Sequence, residues 1–73
     1  METPLDIFGK NIKAAREMKG LSQEELAELA GFDRTYISLI ERGKRNLSLL
    51  NICKFAKAFG IQPHELINNV IEL

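Results

Sequence analysis

Apolar residues along this chain recur at intervals of three and four, no segment alternates with period two, and no hairpin dipeptide is present. That pattern predicts helices and no strands. The first helix is predicted from near Pro4 to Lys19 on the stripe Leu5, Phe8, Ile12, Ala15 and Met18, with Gly20 following as a left-handed terminal residue. A second runs from Ser22 to Ala30, burying Leu26, Ala27 and Ala30, and stops at Gly31. The third spans Asp33 to Arg42 and is closed by Gly43. Ser48 caps a fourth that continues to Phe59 on Leu49, Ile52, Cys53, Ala56 and Phe59, and Gly60 ends it. Pro63, at a first helical position, starts a fifth through about Asn69. Such short connections suit an all-α, five-helix bundle, with residues 1–73 as one domain.

The second and third helices carry the clearest local signals. Ser22 with Glu25 three residues on makes a capping box, and Asp33 is a good N-cap after Gly31 and Phe32. The short glycine turn between them is that of a helix-turn-helix, in which the second helix enters the DNA major groove. On the third helix Ile37 and Ile40 face the core, with Glu41 beside Ile37. The opposite face presents Arg34, Thr35, Ser38, Leu39 and Arg42. Arg34 suits a bidentate pair with guanine, and Thr35 a base edge or thymine methyl. Leu39 faces solvent in this reading, where it adds nothing to a fold; a thymine methyl gives it a use, although lone exposed leucines are common.

Helix ends supply candidate backbone contacts. Gln23, at the start of the second helix, can donate its amide to phosphate beside free N–H groups. Arg42-Gly43-Lys44-Arg45-Asn46 sets three cations before the fourth helix. Lys44 and Asn46 suit phosphates, and Arg45 is long enough for a minor groove. Tyr36 lies between the wet and buried faces, either reaching phosphate or sugar or serving structure alone.

Composition sharpens this picture in three places. The chain is 45% hydrophobic, ample for a core in 73 residues. No apolar run approaches the length of a membrane span, and the start METPLDIF lacks a basic leader region, so a cytoplasmic location is expected. With one His, one Cys and no phosphate-binding glycine loop, neither a catalytic constellation nor a metal or cofactor site is expected. Cys53 is read as a buried structural thiol and His64 as a surface residue. A net charge of zero counts against nucleic-acid binding, but its distribution does not. Lys10, Lys13, Arg16 and Lys19 gather in one stretch, and Arg34, Arg42, Lys44 and Arg45 in another, while Glu24, Glu25 and Glu28 lie apart.

Ile12, Arg16, Gly20-Leu21-Ser22-Gln23, Leu26-Ala27, Ala30-Gly31, Tyr36-Ile37-Ser38, Ile40-Glu41-Arg42-Gly43, Asn46, Ala56 and Gly60 together resemble the pattern of the lambda-repressor-like (XRE-type) helix-turn-helix family. The resemblance covers nearly the whole chain and implies a five-helix domain binding DNA through its second and third helices. It also implies a partly buried salt bridge between Arg16 and Glu41. A narrower likeness, Asp33 to Ser38 followed by Ile40 to Asn46, is to the controller proteins of restriction-modification systems. Those are dimeric regulators of about this size acting on their own gene and that of the nuclease. This likeness implies base reading by Arg34, Thr35 and Tyr36, and backbone or minor-groove roles for Arg45 and Asn46. It implies a double-stranded DNA operator, a second copy of the chain and RNA polymerase as partners.

One module of this size binds an operator weakly, so two copies on a near-palindrome are expected. The fourth and fifth helices offer Leu50, Phe55, Ile67, Val70, Ile71 and Leu73 for a dimer interface, while Ile61 better suits the core. Competing readings are an antitoxin that also binds DNA and a phage-type repressor or Cro-like protein.

Overall fold

The structure, a computed structural model, describes residues 2–70, and Ile71 and Leu73, expected at an interface, lie outside them. Five helices follow in order: α1 (Pro4–Met18), α2 (Gln23–Ala30), α3 (Arg34–Glu41), α4 (Leu49–Phe59) and α5 (Pro63–Leu66). No strand occurs among the described residues. Each of the first four begins on a side-chain cap that satisfies an otherwise orphaned N–H. Ser22 and Glu25 form the predicted capping box, Asp33 accepts from the Tyr36 amide at 3.0 Å, and Ser48 accepts from the Asn51 amide at 3.1 Å. A second capping box, Thr3 with Asp6, starts α1.

The fifth helix stops at Leu66 and not near Asn69. The backbone leaves helical geometry at Ile67, with φ of −99° and ψ of 15°, and Asn69, with φ of 61°, is left-handed and bars any continuation. Asn11 on α1 also holds the end of α5, its Nδ2 donating to the carbonyls of Leu66 and Asn68, both at 2.8 Å.

The core draws on every helix: Phe8 and Ile12 from α1, Leu26, Ala27 and Ala30 from α2, Ile37 and Ile40 from α3, Phe55, Ala56 and Phe59 from α4, and Leu66 from α5. The buried face of α4 differs from the predicted stripe. Leu49 is 74% exposed and Cys53 is exposed, so the thiol is not the buried one expected, while Phe55 is fully buried and unavailable to an interface. Asn51, Lys54 and Lys57 mark a polar side of LLNICKFAKAF, but Leu49 and Phe55 flank the apolar side on opposite edges, so the pattern alone does not choose which edge is buried. Phe32, from the turn between α2 and α3, packs its ring 4.9 Å from that of Phe55 and draws this side inward. Met18 is also exposed, at the last turn of α1 beyond Ala15. Ile61 packs against the core as expected.

Gly9 sets how closely α1 crosses α3. It is buried, and a methyl group there would run into the carbonyl oxygens of Ile40 and Glu41. The absence of a side chain lets α1 lie directly on the C-terminal turn of α3, fixing the helix that carries the candidate site.

Candidate nucleic-acid interface

The turn before α3 is built by backbone and aromatic packing together. Gly31 has φ of 82°, and the amides of Gly31 and Phe32 both donate to the Ala27 carbonyl, at 2.9 and 2.8 Å. A left-handed residue here reverses the chain in three residues. Asp33 then caps α3, so its first turn emerges with Arg34 and Thr35 exposed while Ile37 and Ile40 are buried. Ser38 is half-buried, and Leu39 is half-buried too, a correction to the solvent-facing leucine expected. It precedes the buried Ile40, and the chain leaving α3 closes on it through the Lys44 amide, which donates to the Leu39 carbonyl. The Arg34 guanidinium lies 3.9 Å from Glu24, both side chains mostly exposed. A pair so wet contributes little and is easily exchanged for another partner.

Behind this surface, Arg16 Nε donates to Glu41 Oε2 at 2.7 Å and Nη2 to Oε1 at 3.1 Å. The same guanidinium donates through Nη1 to the Leu21 carbonyl at 2.8 Å, tying α1 to the loop before α2. Side-chain exposures of 12% and 5% make this a largely desolvated bidentate pair. The bonds to Glu41 push the Arg16 pKa up against the opposing effect of burial.

Gln23 joins this clamp, its Nε2 donating to Glu41 Oε1 at 3.1 Å. Its amide is thus turned inward, where the sequence suggested phosphate, although a primary amide carries a second N–H. After α3, the Gly43 and Lys44 amides close the helix on the carbonyls of Ile40 and Leu39. This leaves Arg42, Lys44, Arg45 and Asn46 exposed in succession. Arg42 Nε turns back to the Ser38 carbonyl at 3.4 Å. Arg45 lies 5.3 Å over the ring of Tyr36, a cation–π contact.

Tyr36 is both structural and accessible. Its ring lies 4.7 Å from that of Phe32, and its hydroxyl accepts from Asn51 Nδ2 at 2.9 Å, yet the residue is only half-buried. Asn51 had no signal in the sequence, because it belongs to another helix and lies on the polar side of α4 with Lys54 and Lys57, where any of the three reads as a solvent-facing residue. The geometry thus brings Arg34, Thr35, Ser38 and Tyr36 together on one helix, with the cations of residues 42–46 at its far end.

Self-association residues divide differently. Leu50 is 66% and Ile67 47% exposed. Ile67 and Val70 also line an apolar groove of about 120 Å³ with Pro4, Leu5, Phe8, Leu47 and Ile52. No three His, Cys, Asp or Glu side chains among the described residues gather to hold a metal ion. Nor is any of their helices long and apolar enough to cross a membrane.

A family model described as Helix-turn-helix matches residues 12–66. The chain is 49% identical over 63 residues to the control protein C.BamHI of Bacillus amyloliquefaciens, covering 85% of this chain and 78% of that one. Its fold is similar to the crystal structure of the restriction-modification controller protein C.AhdI from Aeromonas hydrophila. That match has a TM-score of 0.83 at 53% identity and covers 85% of this chain and 94% of the other. It is likewise similar to the biofilm master regulator SinR, crystallised in complex with DNA. There the TM-score is 0.79 at 37% identity, over 84% of this chain and 98% of the crystallised one. With five helices, a capped glycine turn and an exposed start to α3, the chain belongs to the XRE-type helix-turn-helix family of DNA-binding transcriptional regulators.

Proposed function

We propose that this chain is a regulator of the restriction-modification controller kind, which binds a near-palindromic operator as a homodimer. In this reading Arg34, Thr35, Ser38 and Leu39 meet base edges in the major groove. Gln23, Tyr36, Arg42, Lys44, Arg45 and Asn46 meet the sugar-phosphate backbone or the minor groove. The observation that carries it is the division of α3, with Ile37 and Ile40 sealed in the core and Arg34 and Thr35 exposed at its first turn. A first turn so presented is the part of a recognition helix that comes nearest to base edges. Likeness to controller proteins at about half identity supports the narrower role. Such a regulator works where DNA is, in the cytoplasm, and meets RNA polymerase through surface the operator leaves free.

Selection of binding sites from random duplexes tests this directly. Arg34→Ala is expected to relax preference at one base position of each half-site and to weaken binding by about 1–3 kcal/mol. Identical preferences for wild type and variant would rule out direct reading by Arg34.

A further inference from the structure

The hydroxyl of Tyr36 is held by a neighbour on a different helix. Asn51 Nδ2 donates to it at 2.9 Å, and the Asn51 backbone is held in the first turn of α4, its N–H donating to Ser48 Oγ at 3.1 Å. A phenol that accepts from an amide keeps its own proton to give away. The bond it accepts also polarises its O–H and strengthens it as a donor. The ring cannot move far, because Phe32 packs at 4.7 Å and Arg45 lies over it.

We propose that Asn51 is a positioning residue for DNA reading, fixing the Tyr36 hydroxyl as a donor. This point on α3 then takes a hydrogen-bond acceptor of the DNA, a phosphate oxygen or the acceptor edge of a base, and disfavours a donor. The inference rests on DNA binding through α2 and α3.

Asn51→Asp reverses the polarity with little change of shape. A carboxylate accepts from the phenol and withdraws the proton that DNA would receive. The fold is retained, since the first turn of α4 carries no acid and a negative charge there suits the helix dipole. A thermal melt checks this. Dissociation constants are measured for wild type, N51D, Y36F and the double variant on the duplex selected by wild type. Repulsion between the new carboxylate and DNA is common to both backgrounds and cancels in the cycle. We expect N51D to weaken binding about 3- to 10-fold more in the wild-type background than in the Y36F background, the effect of one hydrogen bond.

The free protein gives an independent readout, because the chain has one Tyr and no Trp. N51D is expected to shift the near-UV absorption of Tyr36 to the red, as a phenol donating to a carboxylate does. Equal losses of binding in both backgrounds, or an unchanged spectrum, would overturn the proposal while leaving DNA binding intact. Failure of wild type to select any sequence would overturn the DNA-binding reading and this inference with it. The Y36F variant separates the two acceptors: a loss uniform over all sequences assigns phosphate, and a loss at one base position assigns a base edge.

Discussion

Arg16 and Glu41 show what one pair of side chains contributes to the recognition unit. Their bidentate contact joins α1 to the end of α3, and Gln23 and the Leu21 carbonyl complete it. Two charges so far out of water are held by each other, and removing one leaves the other stranded. Arg16→Ala is therefore expected to cost about 3–5 kcal/mol in urea unfolding. Replacing both, as Arg16→Met with Glu41→Leu, should cost far less, because no buried charge is left alone. Equal costs for the two variants would mean that the site is wetter than its geometry indicates. The pairing of these two residues entered through family resemblance, since charge spacing alone does not reveal which distant partner a guanidinium meets. The Asn51–Tyr36 contact was illegible for the same reason, and no family pattern pointed to it. Cys53 reads as core because it lies one turn after Leu49, and it is exposed because that edge of α4 turns outward while Phe55 turns in.

At the scale of the element, local chemistry sets where each helix begins, and packing sets which way it faces. Gly9 lets two opposing effects be weighed. Alanine within a helix gains about 1 kcal/mol of propensity over glycine. Here the added methyl would meet the backbone oxygens of Ile40 and Glu41, which cannot swing aside as a side chain would. Sterics should win, and Gly9→Ala is expected to destabilise the protein by about 1–3 kcal/mol net. A rise in melting temperature would instead show that α1 and α3 can separate freely.

The capping boxes make a second test at this scale. Thr3 holds the Asp6 carboxyl below the ordinary carboxylate range through backbone and side-chain hydrogen bonds, with a lesser pull from Lys44, and Ser22 holds that of Glu25 likewise. A pKa depressed by folding contributes stability that is complete above the unfolded value of about 4 and lost as pH falls through the lower folded one. The stability gap between wild type and Ser22→Ala should therefore be widest at neutral pH and narrow below about pH 4, measured by urea unfolding. A gap as wide in acid would mean that Glu25 plays no part. The Ser22 box was legible because a cap and its partner lie three residues apart; that of Thr3 is overshadowed by Pro4, the stronger signal beside it. On α4 the burial of Ile52, Ala56 and Phe59 was legible, but the choice of Phe55 over Leu49 at the edge was not, because Phe32 packs against that edge from outside the helix.

For the whole molecule, what the core leaves uncovered decides how the chain assembles. One copy is 34 Å in its longest dimension, about the ~34 Å of one turn of B-DNA, so it can reach little beyond a single half-site. The proposed homodimer brings two copies together, and the apolar surface available for it is smaller than the sequence suggests, since Phe55 is committed to the core. Leu49, Leu50 and Ile67 remain exposed, and Ile67 borders the groove shared with Pro4, Leu5, Leu47 and Val70. A two-fold dimer uses the same patch twice, so one substitution acts twice. Covering the exposed half of Ile67 contributes about 1 kcal/mol per copy, and a glutamate in its place adds the penalty of burying a carboxylate. Ile67→Glu should thus raise the dimer dissociation constant about 30-fold or more. It should leave helical content unchanged, because Ile67 lies outside the buried core. Operator binding by the variant should become steeper in protein concentration, as assembly is then coupled to binding. Sedimentation showing wild type to be monomeric at about tens of micromolar, a range in which even a weak dimer forms, would refute the homodimer. An Ile67→Glu variant that sediments as wild type does would move the interface to another face.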